Sequence, residues 1–291
     1  MATLNQWIAG SRPRTLPSAI APVAIGAGLV ARQDSFIAVR ALLALIVALA
    51  LQVGVNYAND YSDGIKGTDE IRIGPVRLVG QGLVAPGLVK MAAFASFGLA
   101  MLAGLALVLI TSEWWLLLVG AASIAAAWFY TGGKHPYGYF GLGEIFVFIF
   151  FGIVPVLGTV YVQALSIAAP DVVAACAVGF LICTLLIVNN LRDIPTDRIA
   201  GKRTLAVALG DKRTRAMYAL FMLLTFALTI FLAAMTSWWV LLALLAFVLA
   251  LRPLRIVLGG GVGSVLVTVL KMTGILVLDY GLLTAGLLAW S

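Results

Sequence analysis

Charge is scarce in this chain. Only 11% of its 291 residues are Asp, Glu, Lys or Arg, 63% are hydrophobic, and the mean hydropathy is +1.09. No soluble domain holds so little polar surface against water, so the composition excludes a water-soluble enzyme and specifies a polytopic membrane protein. Histidine is nearly missing. With His135 alone, a His-rich zinc site or a His-based triad has little material to work with. Cysteine is limited to Cys176 and Cys183, separated on one predicted helix by a rise of about 10 Å, too long for an intrahelical disulfide. Both read as packing residues. The opening Met1-Ala2-Thr3-Leu4-Asn5-Gln6-Trp7 is too polar for a signal-peptide core, which predicts that the first span is retained. Gly259-Gly260-Gly261 precedes no Lys-Ser/Thr pair and reads as a flexible linker, not a nucleotide loop.

Bilayer-length apolar sequence is abundant. Nine stretches have the length of a tilted or slightly short crossing: Leu16–Val30, Val39–Ala58, Gly87–Ile110, Trp114–Tyr130, Leu142–Val162, Val172–Leu191, Met217–Met235, Trp238–Leu254 and Ser264–Leu288. The expected fold is therefore an all-α bundle of nine transmembrane helices in one domain over residues 1–291, around a central cavity open to the cytoplasmic side. Of nineteen Lys and Arg residues, sixteen fall in the N-terminal segment and in the loops after the even-numbered spans, against Arg32 and Arg40 in the opposite loops and Lys271 inside the last span. The positive-inside rule makes the sixteen cytoplasmic. It predicts a multi-pass protein of the cell membrane with its N-terminus and active site in the cytoplasm and its C-terminus outside. The net charge of +7 expresses this topology and attracts anionic lipid or a phosphorylated substrate. Basic residues scattered over several loops argue against nucleic acid, and nothing calls for an obligatory protein partner.

The few acids are concentrated. Asn59-Asp60-Tyr61-Ser62-Asp63 ends the second predicted span, and Asn189, Asp193 and Asp197 follow the sixth at i, i+4 and i+8, on one helical face. Pro195 is expected to end that helix. The two clusters are offset by 130 residues and end spans of the same direction, a weak parallel repeat that can turn both toward one cavity, unlike the inverted repeats of many transporters. Carboxylates at a helix C-terminus face the negative end of the dipole and call for a compensating cation. An oxygen-rich, sulfur-poor and nitrogen-poor donor set suits Mg²⁺. The plain alternative is a set of solvated acids paired with Arg192, Arg198 and Lys66, which repetition of the pattern disfavours.

Magnesium usually keeps waters, binds one or two carboxylates, and completes its shell with phosphate oxygens. Two such ions would clamp a diphosphate, with Arg12, Lys134 and Lys202 as the best-placed cations by sequence and an apolar slot for a hydrocarbon tail. A polyprenyl diphosphate meets both needs. A transporter would place its ionisable groups near the midplane, and a scaffold has no use for paired clusters. Glu144 is either an acceptor contact or an acid favoured by its helix N-terminus. Lys271 and Asp279 lie in the last span at a spacing poor for an ion pair, so snorkelling is the simpler reading.

These motifs resemble the UbiA superfamily of intramembrane aromatic prenyltransferases. The residues that carry the resemblance are Asn59-Asp60-x-x-Asp63, Asp193-x-x-x-Asp197 and Tyr130-Thr131-Gly132-Gly133-Lys134. Arg12-Pro13-Arg14-Thr15-Leu16-Pro17, the run Gly64 to Asp69, and Gly201-Lys202-Arg203-Thr204-Leu205 are similar to the branch that prenylates 1,4-dihydroxy-2-naphthoate for menaquinone synthesis. Gly67 stands where the superfamily pattern has its last acid, and Asp69 comes two residues later. The resemblance implies Mg²⁺ as cofactor and Asn59, Asp63, Asp193 and Asp197 as metal-diphosphate ligands, with Asp60 and Asn189 close by. It further implies Tyr130, Lys134, Lys66, Lys202 and Arg12 as contacts of polyprenyl diphosphate and an aromatic hydroxy acid. Asp60 and Asp69 are alternative bases for the acceptor hydroxyl. Trp128-Phe129-Tyr130 and Phe146 to Phe151 are candidates to shield an allylic cation. The implied products are demethylmenaquinone, CO₂ and diphosphate, with 4-hydroxybenzoate or homogentisate as alternative acceptors.

Overall fold

The computed structural model describes residues 2–67 and 76–291, so Asp69 and Arg72 lie outside the described residues. Its helices are α1 (Leu4–Gly10), α2 (Pro17–Ala31), α3 (Ala38–Ile65), α4 (Pro86–Thr111), α5 (Leu116–Phe129), α6 (Gly143–Val147), α7 (Val154–Ala164), α8 (Ala169–Ile199), α9 (Leu205–Leu209), α10 (Asp211–Met235), α11 (Phe247–Leu258) and α12 (Ser264–Trp290). Among the described residues, seven segments are long and apolar enough to cross a membrane: α3, α4, Gly143–Ala164, α8, α10, Trp238–Leu258 and α12. The N-terminal pair Leu4–Thr15 and Pro17–Ala31, bent by 51°, makes an eighth if it is one span. The prolines explain the bend. Pro13 and Pro17 each open a helical turn, where a missing amide is tolerated, and Arg12 takes a left-handed conformation (φ 54°) between α1 and Pro13. The fourth expected stretch forms α5, only 14 residues long, a rise of roughly 21 Å against about 30 Å of hydrocarbon.

Two helix ends differ from the sequence reading. α3 continues past Ala58 to Ile65, which puts Asn59, Asp60 and Asp63 on its last turns. α8 continues through Pro195 to Ile199, so Asp197 remains on the same helical face as Asn189 and Asp193. The expectation that Pro195 ends the helix is corrected here. Proline removes one ladder bond, but Ile194 and Asp197 on either side of it are buried, and the Asp197 carbonyl accepts the Lys202 amide at 2.9 Å.

α8 is the central post, with 72% of its apolar window buried against 22 to 44% for the other spans. It packs on α10, α12 and the π-helical turn Phe148–Ile153, while α2 packs on α12 and α3 on α4. Small residues make these approaches close, as lipid-embedded packing requires. A Cβ added to Gly28 would lie 2.5 Å from the Ala285 carbonyl oxygen, and one on Gly281 would lie 2.4 Å from the Ala21 Cβ. Hydroxyl pairs pin α10 to α12: Tyr218 with Thr273 and Thr229 with Tyr280, each at 2.8 Å. A bond of this kind between transmembrane helices contributes about 0.6–2 kcal/mol. One side of the bundle is thereby dense. The other side, around α5, encloses the space that matters.

Candidate active site

A cavity of about 1140 Å³ opens between α2, α3, α4, α5, the Gly143–Ala164 span and α8. Its polar end is walled by Asn59 and Asn189, the first residues of the two motifs, together with Arg12, Arg14, Arg77 and Arg192. The rest is apolar. The aromatic residues Trp128, Phe129, Tyr130, Phe146, Phe150 and Phe151 all line it. Tyr130, Tyr137, Phe146 and Phe150 form a continuous column, with successive ring centroids 5.5, 3.9 and 5.9 Å apart. The Tyr137 hydroxyl donates to the Ala126 carbonyl at 2.7 Å, and burial pushes its phenol well above the usual tyrosine value, so it stays a donor.

The end of α3 is assembled by long-range contacts. Asp63 Oδ1 accepts from the Tyr139 hydroxyl at 2.6 Å and lies 3.4 Å from Lys202 Nζ, which reaches over from the loop beyond α8. Lys202 Nζ also sits 4.5 Å from the Tyr139 ring centroid, and the Arg203 amide donates to the Tyr139 carbonyl at 2.9 Å. Asn59 Oδ1 accepts from Thr131 at 2.8 Å, in the loop after α5. Lys66 Nζ donates to the Thr131 and Gly133 carbonyls at 2.7 and 3.3 Å and lies 5.1 Å from the same Tyr139 ring. Partial burial holds the Lys66 ammonium below the ordinary lysine value; Asp63 opposes this and Lys202 reinforces it.

The end of α8 is built locally. Arg192 forks onto Asp193, Nε to Oδ1 at 2.7 Å and Nη2 to Oδ2 at 2.8 Å, and Nη2 also reaches Asn189 Oδ1 at 2.8 Å. Both charged side chains are 4% exposed. Arg192 Nη1, equally buried, has no hydrogen-bond partner among the described residues. In the sequence Arg192 figures only as a loop cation; here it is the guanidinium beside both Asn189 and the cavity.

Asp60 has partners of its own. It is fully buried, and its two oxygens accept the amides of Leu78 and Val79 at 2.7 and 3.2 Å. Both oxygens thus hold the segment that follows α3. Lys134 is exposed and does not line the cavity. Glu144 is buried against α8, accepting from Asn190 Nδ2 at 3.1 Å, and is no cavity contact either. Asp197 is buried beside Asp193 on α8. Tyr139 went unnoticed in the sequence and Thr131 was given no role of its own, because loop residues that act across 76 and 72 positions leave no periodic signal.

The donor set is chemically suited to Mg²⁺: amide and carboxylate oxygens, with no histidine or thiolate. Among the described residues no three His, Cys, Asp or Glu side chains converge. Each half therefore offers one or two acids plus an asparagine, the share that Mg²⁺ takes from protein when phosphate and water complete its shell.

The profile of the UbiA prenyltransferase family matches residues 19–261. The chain belongs to this family. It is 52% identical over 290 residues to the 1,4-dihydroxy-2-naphthoate octaprenyltransferase of Mycobacterium tuberculosis (strain ATCC 25618 / H37Rv), covering 100% of this chain and 99% of that protein. It is 41% identical over 260 residues to the Escherichia coli (strain K12) protein of the same name, covering 87% and 84%. Its fold is similar to that of a UbiA homologue from Archaeoglobus fulgidus bound to GPP and Mg²⁺, with a TM-score of 0.69, 15% identity, and coverage of 97% and 99%.

Proposed function

We propose that this chain transfers a polyprenyl group from its diphosphate to 1,4-dihydroxy-2-naphthoate, with loss of diphosphate and CO₂, giving demethylmenaquinone. One observation carries the reading. The two motif asparagines, Asn59 and Asn189, line one cavity together with four arginines, and the rest of its wall is largely apolar. That is the shape of a ligand with an anionic head and a hydrocarbon tail. Relatives named for this acceptor, which match 100% and 87% of the chain, support naphthoate among aromatic acids.

Asn59 and Asp63 on α3, and Asn189, Asp193 and Asp197 on α8, are the residues that would hold Mg²⁺. The bound ion would supply positive charge to the departing diphosphate. Arg192, Lys202, Lys66 and Arg12 add fixed cations around the same head group. Arg192 does so with a buried N–H still to be satisfied, which favours an anion beside it over an empty wall. Tyr139 and Lys202 hold Asp63 in place. The aromatic column offers quadrupole faces to an allylic cation and keeps water from it. Asp60, spent on loop amides, positions the chain after α3, which leaves Asp69 as the candidate base for the acceptor hydroxyl.

We infer a single domain with nine crossings, counting the bent N-terminal pair and the short α5 with the seven long spans. In this arrangement the polar end of the cavity faces the cytoplasm, where the basic loops lie. The test is to incubate purified protein with Mg²⁺, a polyprenyl diphosphate and each of 1,4-dihydroxy-2-naphthoate, 4-hydroxybenzoate and homogentisate, then to identify products by mass. Prenylated, decarboxylated naphthoquinol is expected. A product formed only with another acid would overturn the choice of acceptor, and no product with any acid would overturn the reaction.

A further inference from the structure

Glycine is a weak helix former, so a glycine inside a transmembrane helix calls for a reason. Packing supplies it at Gly28, Gly54, Gly152 and Gly281, where an added Cβ would lie 2.4–2.5 Å from the nearest atom. It does not at Gly104, Gly120 and Gly158. A Cβ on Gly120 or Gly158 would meet nothing within 4 Å, and one on Gly104 would meet only Val47 Cγ2 at 3.9 Å. All three line the cavity. The space they leave is therefore ligand space, not helix contact.

Their level in the bundle is also shared. Gly104 lies within two turns of the end of α4 at Thr111, Gly120 within two turns of the start of α5 at Leu116, and Gly158 within two turns of the end of α7 at Ala164. These helix ends meet on the side opposite Asn59: Tyr161 donates to Glu113 at 3.1 Å, and Arg40, near the start of α3, donates to the Val162 carbonyl at 2.9 Å. Along α3 the cavity wall runs from Asn59 down to Ala44, a rise of roughly 22 Å. At the near end the buried Arg192 Nη1, without a partner among the described residues, marks where the anionic head belongs.

We infer that Gly104, Gly120 and Gly158 hold open the far end of the cavity, and that side-chain bulk at these positions sets the longest prenyl chain the protein accepts. The inference rests on the prenyl-transfer reading above. With the head fixed at Asn59, Asn189 and Arg192, each added isoprene unit moves the tail terminus toward these glycines. Short chains never reach them.

The experiment uses the full-length protein in detergent with Mg²⁺, 1,4-dihydroxy-2-naphthoate and a ladder of all-trans prenyl diphosphates from geranyl to nonaprenyl. Wild type is compared with Gly104→Leu, Gly120→Leu and Gly158→Leu. Gly98→Leu is the control, because its added side chain also enters open space but lies outside the cavity lining. The ratio of long-chain to geranyl turnover within one preparation cancels differences in folded fraction. In the three lining variants that ratio is expected to fall by about tenfold or more, the scale set by steric exclusion from an apolar pocket, while geranyl turnover stays within about twofold. Gly98→Leu is expected to keep the wild-type profile. Unchanged profiles in all three variants would overturn the inference, as would a drop that is uniform from geranyl to nonaprenyl. Wild type inactive at every length would instead overturn the prenyl-transfer reading itself.

Discussion

The ends of α3 and α8 carry similar motifs, yet they are held in different ways. On α8 the counter-charge to Asp193 is the adjacent residue, Arg192, and the pair is almost completely enclosed. On α3 the counter-charge to Asp63 comes from Lys202, 139 positions away, with Tyr139 as a second donor. One end is therefore built as soon as its helix forms. The other exists only when two loops, those after α5 and α8, have docked.

The largest expected effect follows from removing either carboxylate. Asp63→Asn and Asp193→Asn should each lower prenyl transfer by at least about 100-fold, the scale for loss of a group that fixes charge in a transition state, measured as product by mass. Stability should separate them. Asn at 193 leaves Arg192 buried without its counter-ion, and breaking a buried pair in this way costs about 3–5 kcal/mol. Lys202 keeps the Tyr139 ring when Asp63 is replaced. Thermal unfolding in detergent should therefore show a clearly larger fall in Tm for Asp193→Asn. Equal Tm values would break the comparison.

Next in size is Tyr139→Phe, which keeps the ring under Lys202 and Lys66 but removes the 2.6 Å bond to Asp63. A hydrogen bond to a charged group contributes about 1.5–3 kcal/mol, much of it shared here with Lys202. We expect a loss of about tenfold in kcat/KM with little change in Tm. A variant as active as wild type would mean that Lys202 alone positions Asp63.

Asp60→Asn tests the reading of Asp60 as an anchor. An amide at this position turns an N–H toward an N–H of the Leu78–Val79 segment, so stability should fall by about 1–3 kcal/mol. Turnover per folded molecule should fall far less than in Asp63→Asn. If Asp60→Asn is as inactive as Asp63→Asn while keeping wild-type Tm, Asp60 is a ligand or base after all.

These contrasts also define what could be read from sequence. Asn59, Asp63, Asn189, Asp193 and Asp197 were legible because carboxylates are costly beside apolar helices and because their spacing of four puts them on one face. The enclosed space was legible as a central cavity with an apolar tail slot, without the residues that line it. Asp60 was not legible, since one step along a helix turns a side chain by about 100° and only the fold shows what stands there. The passage of α8 through Pro195 was hidden for a related reason: local propensity argues for an end, and burial on both sides of the proline outweighs it. Tyr139 and Thr131 act through loop contacts that no period encodes.

The smallest effect is expected at Cys176, which sits on α8 as a half-buried thiol two helical turns before Cys183, with neither in a disulfide. It is absent from the cavity wall. Cys176→Ala removes one sulfur from a helix whose position is fixed by α10, α12 and the Phe148–Ile153 turn. Turnover should stay within about twofold and Tm should shift only slightly, as for a small core truncation that neighbours can accommodate. A large loss of activity at unchanged Tm would show that α8 presents a different face to the cavity. The local clamp of Arg192 on Asp193 would then have to be rebuilt from that face.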